Sequence, residues 1–377
     1  MAIRKVYVNT IINKFKSDPV LIISGILAAV SCFFVFPDEG YIDYIDFRVL
    51  AILGSLMLVV GSLSETGAFD VLTSGMLSKV KGQRSCALIL TMLSFVLSMF
   101  MTNDVTLVTL VPFALMTVGA FGDKKGLMYT LILMTCAANL GSMLTPVGNP
   151  QNLYLYTKYE MDAGHFLLLT LPYTALSFAM VIAGCFIFVK NGSGSASVKT
   201  DKKPSGILTC IYVLLFVVCL LSVLGFLHYL IMLGIVVVMV VITCRSAFKK
   251  VDYSLLLTFI FFFILIGNLG RIDIVYNAVS SIVAGNTVLT AVVTSQFISN
   301  VPCAMLLSAF TGNGDALVIG TNLGGLGTLI ASMASLITYK IYIRNNKGSG
   351  KYIAAFTVIN VIMLIILYTE YMIIGAC

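Results

Sequence analysis

Charge is scarce in this chain. Only 10% of its 377 residues are Asp, Glu, Lys or Arg, against about 25% in a soluble domain. Hydrophobic residues make up 59%, and the mean hydropathy is +1.03. That shortage excludes an ordinary water-soluble domain. Many runs reach the roughly 20 apolar residues that cross a bilayer. Histidine is scarcer still: His165 and His228 lie far apart at the edges of apolar runs, which argues against a metal site built on them. Nine cysteines (Cys32, Cys86, Cys136, Cys185, Cys210, Cys219, Cys244, Cys303, Cys377) form no C-x-x-C and read as buried small hydrophobes. No His pair, Ser/Lys pair or carboxylate dyad stands at useful spacing, so an enzyme is not expected. There is no basic face with interleaved aromatics, so no nucleic-acid partner is expected.

What is present is an all-α polytopic membrane protein. The first apolar run, Val20 to Phe36, follows Arg4, Lys5, Lys14 and Lys16 and lacks a small-x-small cleavage site, so it reads as a retained span. Nine crossings are expected, at about 19–37, 46–64, 127–159 (interrupted), 164–189, 206–224, 226–245, 253–270, 315–343 (interrupted) and 351–374. Two helical hairpins, about 85–121 and 287–311, fall between them. Their short arms favour dipping into the membrane over crossing it. Stretches 66–83 and 271–286 suit the interface, and Glu65, Asp70, Arg271 and Asp273 read as interfacial anchors. With a cytoplasmic N-terminus, 20 of the 23 Lys and Arg fall on the inner side, leaving Arg48, Lys158 and Arg271 outside. This split follows the positive-inside rule. It also explains the net charge of +7 without an anionic macromolecule. The C-terminus is then outside, and the expected location is the plasma (inner) membrane.

One pattern occurs twice. Thr102-Asn103-Asp104 is followed by Asn139-Leu140-Gly141-Ser142-Met143-Leu144-Thr145-Pro146-Val147-Gly148-Asn149. Ser299-Asn300-Val301 is followed by Asn322-Leu323-Gly324-Gly325-Leu326-Gly327-Thr328. The longer segments align without a gap. Gly61-Ser62-Leu63 likewise resembles Gly267-Asn268-Leu269. A polar stretch, Asn191 to Pro204, divides the chain. The organisation expected is a first repeat with N-terminal span (1–190), a cytoplasmic linker (191–205) and a second repeat (206–377). Five crossings separate the spans that carry Gly61 and Gly267, so the two repeats are inverted.

Paired interruptions at matching places in two halves point to a secondary-transporter binding site. Broken helices offer free N–H groups and a positive dipole end to an anion, and free carbonyls to a hard cation such as sodium. Cation positions are expected at Thr102, Asn103 and Gly141, and at Ser299, Asn300 and Gly324. Substrate is expected between the halves, near Asn103, Asp104, Thr145, Pro146, Asn149, Asn300, Val301 and Thr328. Close helix packing is the other reading of the glycines. Asp104 is an acidic residue deep between apolar runs, which in a membrane is costly and marks function. It could carry a proton, hold a cation, or cap the following helix. Val301 stands at its place in the second half, so the two sites are not chemically equal.

These residues resemble the superfamily of citrate-transporter-like permeases, which includes divalent anion–sodium symporters, arsenite-efflux permeases and certain sodium–proton antiporters. Gly141 to Asn152 is similar to that family's Gly-Gly-x-x-Thr-x-Ile-Gly-x-Pro-x-Asn element. The Thr-Asn-Asp tip, with Val105 after it and Val111-Pro112 beyond, looks like the arsenite-permease branch. In the sodium–dicarboxylate members both tips read Ser-Asn-Thr. The resemblance implies an inverted-repeat fold, a homodimer and elevator-like movement. The expected activity is secondary active transport of a small inorganic or carboxylate anion, coupled to Na+ or H+, with no cofactor beyond that ion and with membrane lipid as surroundings. Arsenite efflux or sodium–proton antiport through Asp104 is the alternative, and a passive channel a remote one.

Overall fold

The computed structural model describes residues 19–78, 80–192, 205–345 and 349–375. Arg4, Lys5, Lys14, Lys16, Lys79, Lys199, Lys202, Lys203, Lys347, Cys377 and most of the 191–205 linker lie outside the described residues, which are helical throughout with no strand.

The first half builds α1 (Pro19–Phe34), α2 (Phe47–Glu65), α3 (Ala68–Leu77), α4 (Gln83–Leu97), α5 (Asn103–Thr117), α6 (Lys124–Gly141), α7 (Pro150–Lys158) and α8 (Ala163–Phe188). The second builds α9 (Gly206–Val223), α10 (Tyr229–Thr243), α11 (Tyr253–Gly270), α12 (Asp273–Gly285), α13 (Thr287–Ile298), α14 (Asn300–Leu307), α15 (Gly314–Leu323), α16 (Met333–Asn345) and α17 (Ser349–Ile374). From α2 to α8 and from α11 to α17 the order is the same: a long helix, a short one, a hairpin, a helix that breaks, its continuation, and a long final helix.

Local chemistry starts and stops these helices. Asp46, Asp123, Asp162 and Asn313 cap α2, α6, α8 and α15, their side chains accepting from first-turn N–H groups, which satisfies donors the helix cannot. Asn149 caps α7, which opens on Pro150, the residue whose missing N–H is harmless there.

Among the described residues, seven helices are long and apolar enough to cross a membrane, or eight if α12 and α13, bent by 112°, are one span. The nine expected crossings are therefore not all single long helices. α10 has 15 residues, about 22 Å at 1.5 Å per residue, and the interrupted spans come as two pieces each, α6 with α7 and α15 with α16. The helix continuing α5 to Phe121 has 19 residues, so length alone does not confine the first hairpin to one leaflet. α6 is central, with 89% of its apolar window buried, against 28% for peripheral α9.

Packing crosses the midpoint of the chain. α1 lies on α11, and α10 lies on α2. α16 packs on α5 and α6, while α14 and α15 pack on α7. One buried cluster joins α4, α5, α6 and α8 to α17; the other joins α2 and α7 to α9, α10, α11 and α14.

Candidate functional site

The two breaks face each other, and asparagines stitch them together. Asn103 Nδ2 donates to Asn139 Oδ1 at 2.9 Å, and Ser332 Oγ donates to the same oxygen at 3.0 Å. In the mirror arrangement, Asn149 Nδ2 donates to Asn322 Oδ1 at 3.1 Å, and Asn322 Nδ2 donates to Asn152 Oδ1 at 2.6 Å. Asn139 aligns with Asn322 and Asn149 with Ser332, so each half's last residues before the break bind the other half's first residues after it. These side chains are buried, where an unpaired amide costs about 1–3 kcal/mol.

The breaks also close on their own hairpins. Thr145 Oγ1 donates to Met99 O, and Thr328 Oγ1 donates to Gln296 O at 3.2 Å. A Cβ on Gly141 would strike the carbonyl of Phe95 and lie 2.7 Å from Ser98 Oγ, and one on Gly324 would lie 2.6 Å from Ser295 Oγ. The glycines thus let α6 and α15 press onto α4 and α13. Ser299, at the second tip, has φ 73° and ψ 155°, a region essentially reserved for glycine and held at a cost of about 1–3 kcal/mol. Thr102, at the first tip, is unstrained at φ −57°.

A cavity of about 700 Å³ opens beside the first tip, within the range of small-molecule sites, about 300–1,000 Å³. One wall is α2 and the turn into α11, with Met57, Gly61, Lys249 and Asp252. The other is α5 and α16, with Thr102, Asp104, Val105 and Ile337. At its inner end, sharing Asp104, Pro150, Asp252 and Met333 with it, lies a chamber of about 20 Å³ lined also by Asn103, Gln151, Asn300, Val301 and Ser332. Four helices, α5, α7, α14 and α16, begin at this chamber. The N–H of Asn300 donates to Ala331 O at 3.0 Å and that of Asp104 to Asn103 Oδ1 at 2.9 Å, and the positive dipole ends of the four helices favour an anion. Asp104, in the first turn of α5, has a buried Oδ1 without a hydrogen-bond partner.

Of the residues expected from sequence, Asn103, Asp104, Asn300 and Val301 meet at the chamber, and Thr102 lines the cavity. Thr145 and Thr328 are tied to the hairpins, Asn149 lies in the cross-half amide network, Ser299 shapes the second tip, and Gly141 and Gly324 are packing points. Pro146 lines neither space. Sequence reasoning missed Asp252, which stands one residue before the span expected at 253–270. It also missed Gln151, Asn152 and Gln296; an amide inside the short apolar arm of α13 was the available signal for the last.

Two hairpins and two broken helices around a shared chamber define a polytopic helical membrane transporter. The sequence matches the citrate transporter family over residues 7–313, and the chain belongs to that family. It is 33% identical over 329 residues to an uncharacterised transporter of Methanocaldococcus jannaschii, covering 86% of this chain and 88% of the relative. It is 31% identical over 327 residues to the inner membrane protein YbiR of Escherichia coli, covering 85% and 86%. A shorter match, 30% over 162 residues, is to the silicon efflux transporter LSI3 of rice, covering 42% of this chain and 33% of the relative. The family is one of transporters, not of enzymes.

Proposed function

We propose that the protein is a secondary active transporter of a small inorganic or carboxylate anion, coupled to Na+ or H+, in which two inverted repeats share one substrate site. The observation that carries this reading is the convergence of four helix N-termini and the Asn103 and Asn300 tips on one chamber. Dipoles and amides bind an anion without fixed positive charge, so it can be released as readily as it is taken up. Asp104 faces the same chamber. Ionised, it repels an anion; neutralised by a proton or a cation, it admits one. That linkage is the physical content of coupling. The hydrogen-bonded tips and breaks form one unit facing α2 and α11 across the cavity, an arrangement suited to elevator-type movement. A homodimer in the plasma membrane fits the family resemblance.

The test is uptake into proteoliposomes of a panel of small anions under sodium, proton or no gradient. Gradient-driven accumulation of at least one anion, lost in Asn103→Ala and in Asn300→Ala, is expected. No uptake of any anion under either gradient overturns the reading. The rice relative's name supports a second reading, outward movement of a small inorganic solute with Asp104 as carrier. Accumulation driven only in inside-out vesicles would favour it.

A further inference from the structure

Gln296 lies on α13, four residues before Asn300. Its Nε2 donates to three carbonyls: Val292 O at 3.1 Å, Gly324 O at 3.0 Å and Leu326 O at 2.9 Å. Its Oε1 accepts from the N–H of Thr328 at 2.9 Å. The chain wraps the amide at Gly327, which has φ 108°, and a Cβ there would collide with Gln296 Oε1. Two of the three carbonyls come from the break and one from the hairpin arm. Carbonyl oxygens converging from a broken helix are the set that a hard cation takes in transporters. Here they converge on an N–H2.

The first half lacks this feature. Met99 stands four residues before Asn103, and its carbonyl accepts the hydroxyl of Thr145 as that of Gln296 accepts the hydroxyl of Thr328. The two residues hold the same place, but a methionine side chain donates nothing. The first break's carbonyls, Ser142 O, Met143 O and Thr145 O, are instead met at 3.2–3.3 Å by Asn152 Nδ2, which reaches back from α7, beyond the break. The break carbonyls are therefore met by a donor amide in both halves, from the hairpin arm in the second and from beyond the break in the first, where Asp104 Oδ1 is left without a hydrogen-bond partner.

We propose that the Gln296 side-chain amide is a built-in substitute for a coupling cation in the second half, so that this transporter takes its coupling ion only in the first half, beside Asn103 and Asp104. The proposal rests on the transporter reading above and narrows it. The amide neutralises the carbonyl dipoles with two N–H groups, carries no net charge, and stays bound through every cycle. Val301 agrees with this: the tip that holds the amide is the one without a carboxylate.

The experiment measures thermal stability of the purified full-length protein in sodium, potassium and choline chloride. Gln296→Glu turns the donor into an acceptor facing three carbonyls, and Gln296→Ser empties the space among them. Both variants are expected to lose stability in choline and to regain it saturably with sodium, a response additional to any the unaltered protein shows. A sodium response unchanged from the unaltered protein in a folded variant overturns the proposal. Should neither variant fold, radioactive sodium bound at equilibrium by the unaltered protein decides: at most one ion per chain supports the proposal, and two overturn it. None of these readouts requires transport, so failure to move any anion would sink the functional reading separately.

Discussion

At the residue scale the site is a set of neutral amides around two carboxyls, Asp104 and Asp252. Asp104 is the carboxyl carried by a hairpin tip, and Val301 stands at its place on the other tip. Asp104→Asn keeps the shape and the hydrogen-bonding capacity but fixes the charge. If protons couple through this residue, transport by Asp104→Asn should lose its pH dependence while binding of substrate persists. A pH profile of uptake unchanged from the unaltered protein would exclude Asp104 as the carrier. Ser299 allows a sharper energetic test. Its φ of 73° is one that glycine adopts freely, and its hydroxyl makes only a 3.4 Å contact to Ala331 O. Ser299→Gly should therefore stabilise the protein by about 1 kcal/mol, read as a rise in Tm. A fall in Tm would mean that the hydroxyl matters more than the strain. These residues also mark the limit of reading from sequence. Asn103 and Asn300 were legible because they interrupt apolar runs twice. Gln296 and Asp252 were not, because spacing along a chain does not say which side chains meet across it.

At the element scale the pattern of apolar runs placed most helices to within a few residues. The hairpin expected over 85–121 became α4 and α5, the interfacial stretch 271–286 became α12, and the breaks fell where the glycine segments stood. The reason is physical: hydrocarbon leaves no alternative to helix for an apolar run, so polar interruptions show directly. Length was less informative. α10 is too short to be recognised as a span alone, and the second arm of the first hairpin is long enough to be mistaken for one. What fixes the hairpins is contact, and Gly141 is the contact point of α6 with α4. Gly141→Ala should cost about 1–3 kcal/mol, as overpacking does, because the Phe95 carbonyl it meets is backbone and cannot turn aside. Gly270→Ala, where the added methyl meets open space, is the control and should be near neutral. Equal changes of Tm in the two variants would show that the close approach at Gly141 does not set the cost, since alanine gains helix propensity over glycine at both places.

At the scale of the whole molecule the two halves exchange partners at every level. α1 and α10 cross over onto α11 and α2, and Asn139 and Asn322 reach across to Ser332 and Asn149. The helix ends are pinned in the same way. Lys250, before α11, pairs with Glu65, at the end of α2, at 2.9 Å; Asp38, before α2, pairs with Arg271, after α11, at 2.8 Å. Glu65 and Arg271 hold matching places with the signs reversed. Both pairs are exposed, so each contributes at most about 1 kcal/mol, and their value lies in the registration of the halves. A chamber lies where residues of the two halves meet, with a cavity on one side of it. The same contacts remade with the halves' roles interchanged would open the chamber to the other side. Val105, on the cavity wall next to Asp104, reports which side is open. In a chain whose nine cysteines are replaced, Val105→Cys should react with membrane-impermeant thiol reagents from both faces of a sealed vesicle. A transported anion should shift the ratio of the two rates, because it favours some of the states it visits over others. Reaction from both faces at rates indifferent to every anion would indicate a passive pore. Reaction from one face alone under all conditions would mean that the cavity does not alternate, and the carrier mechanism would fall with it.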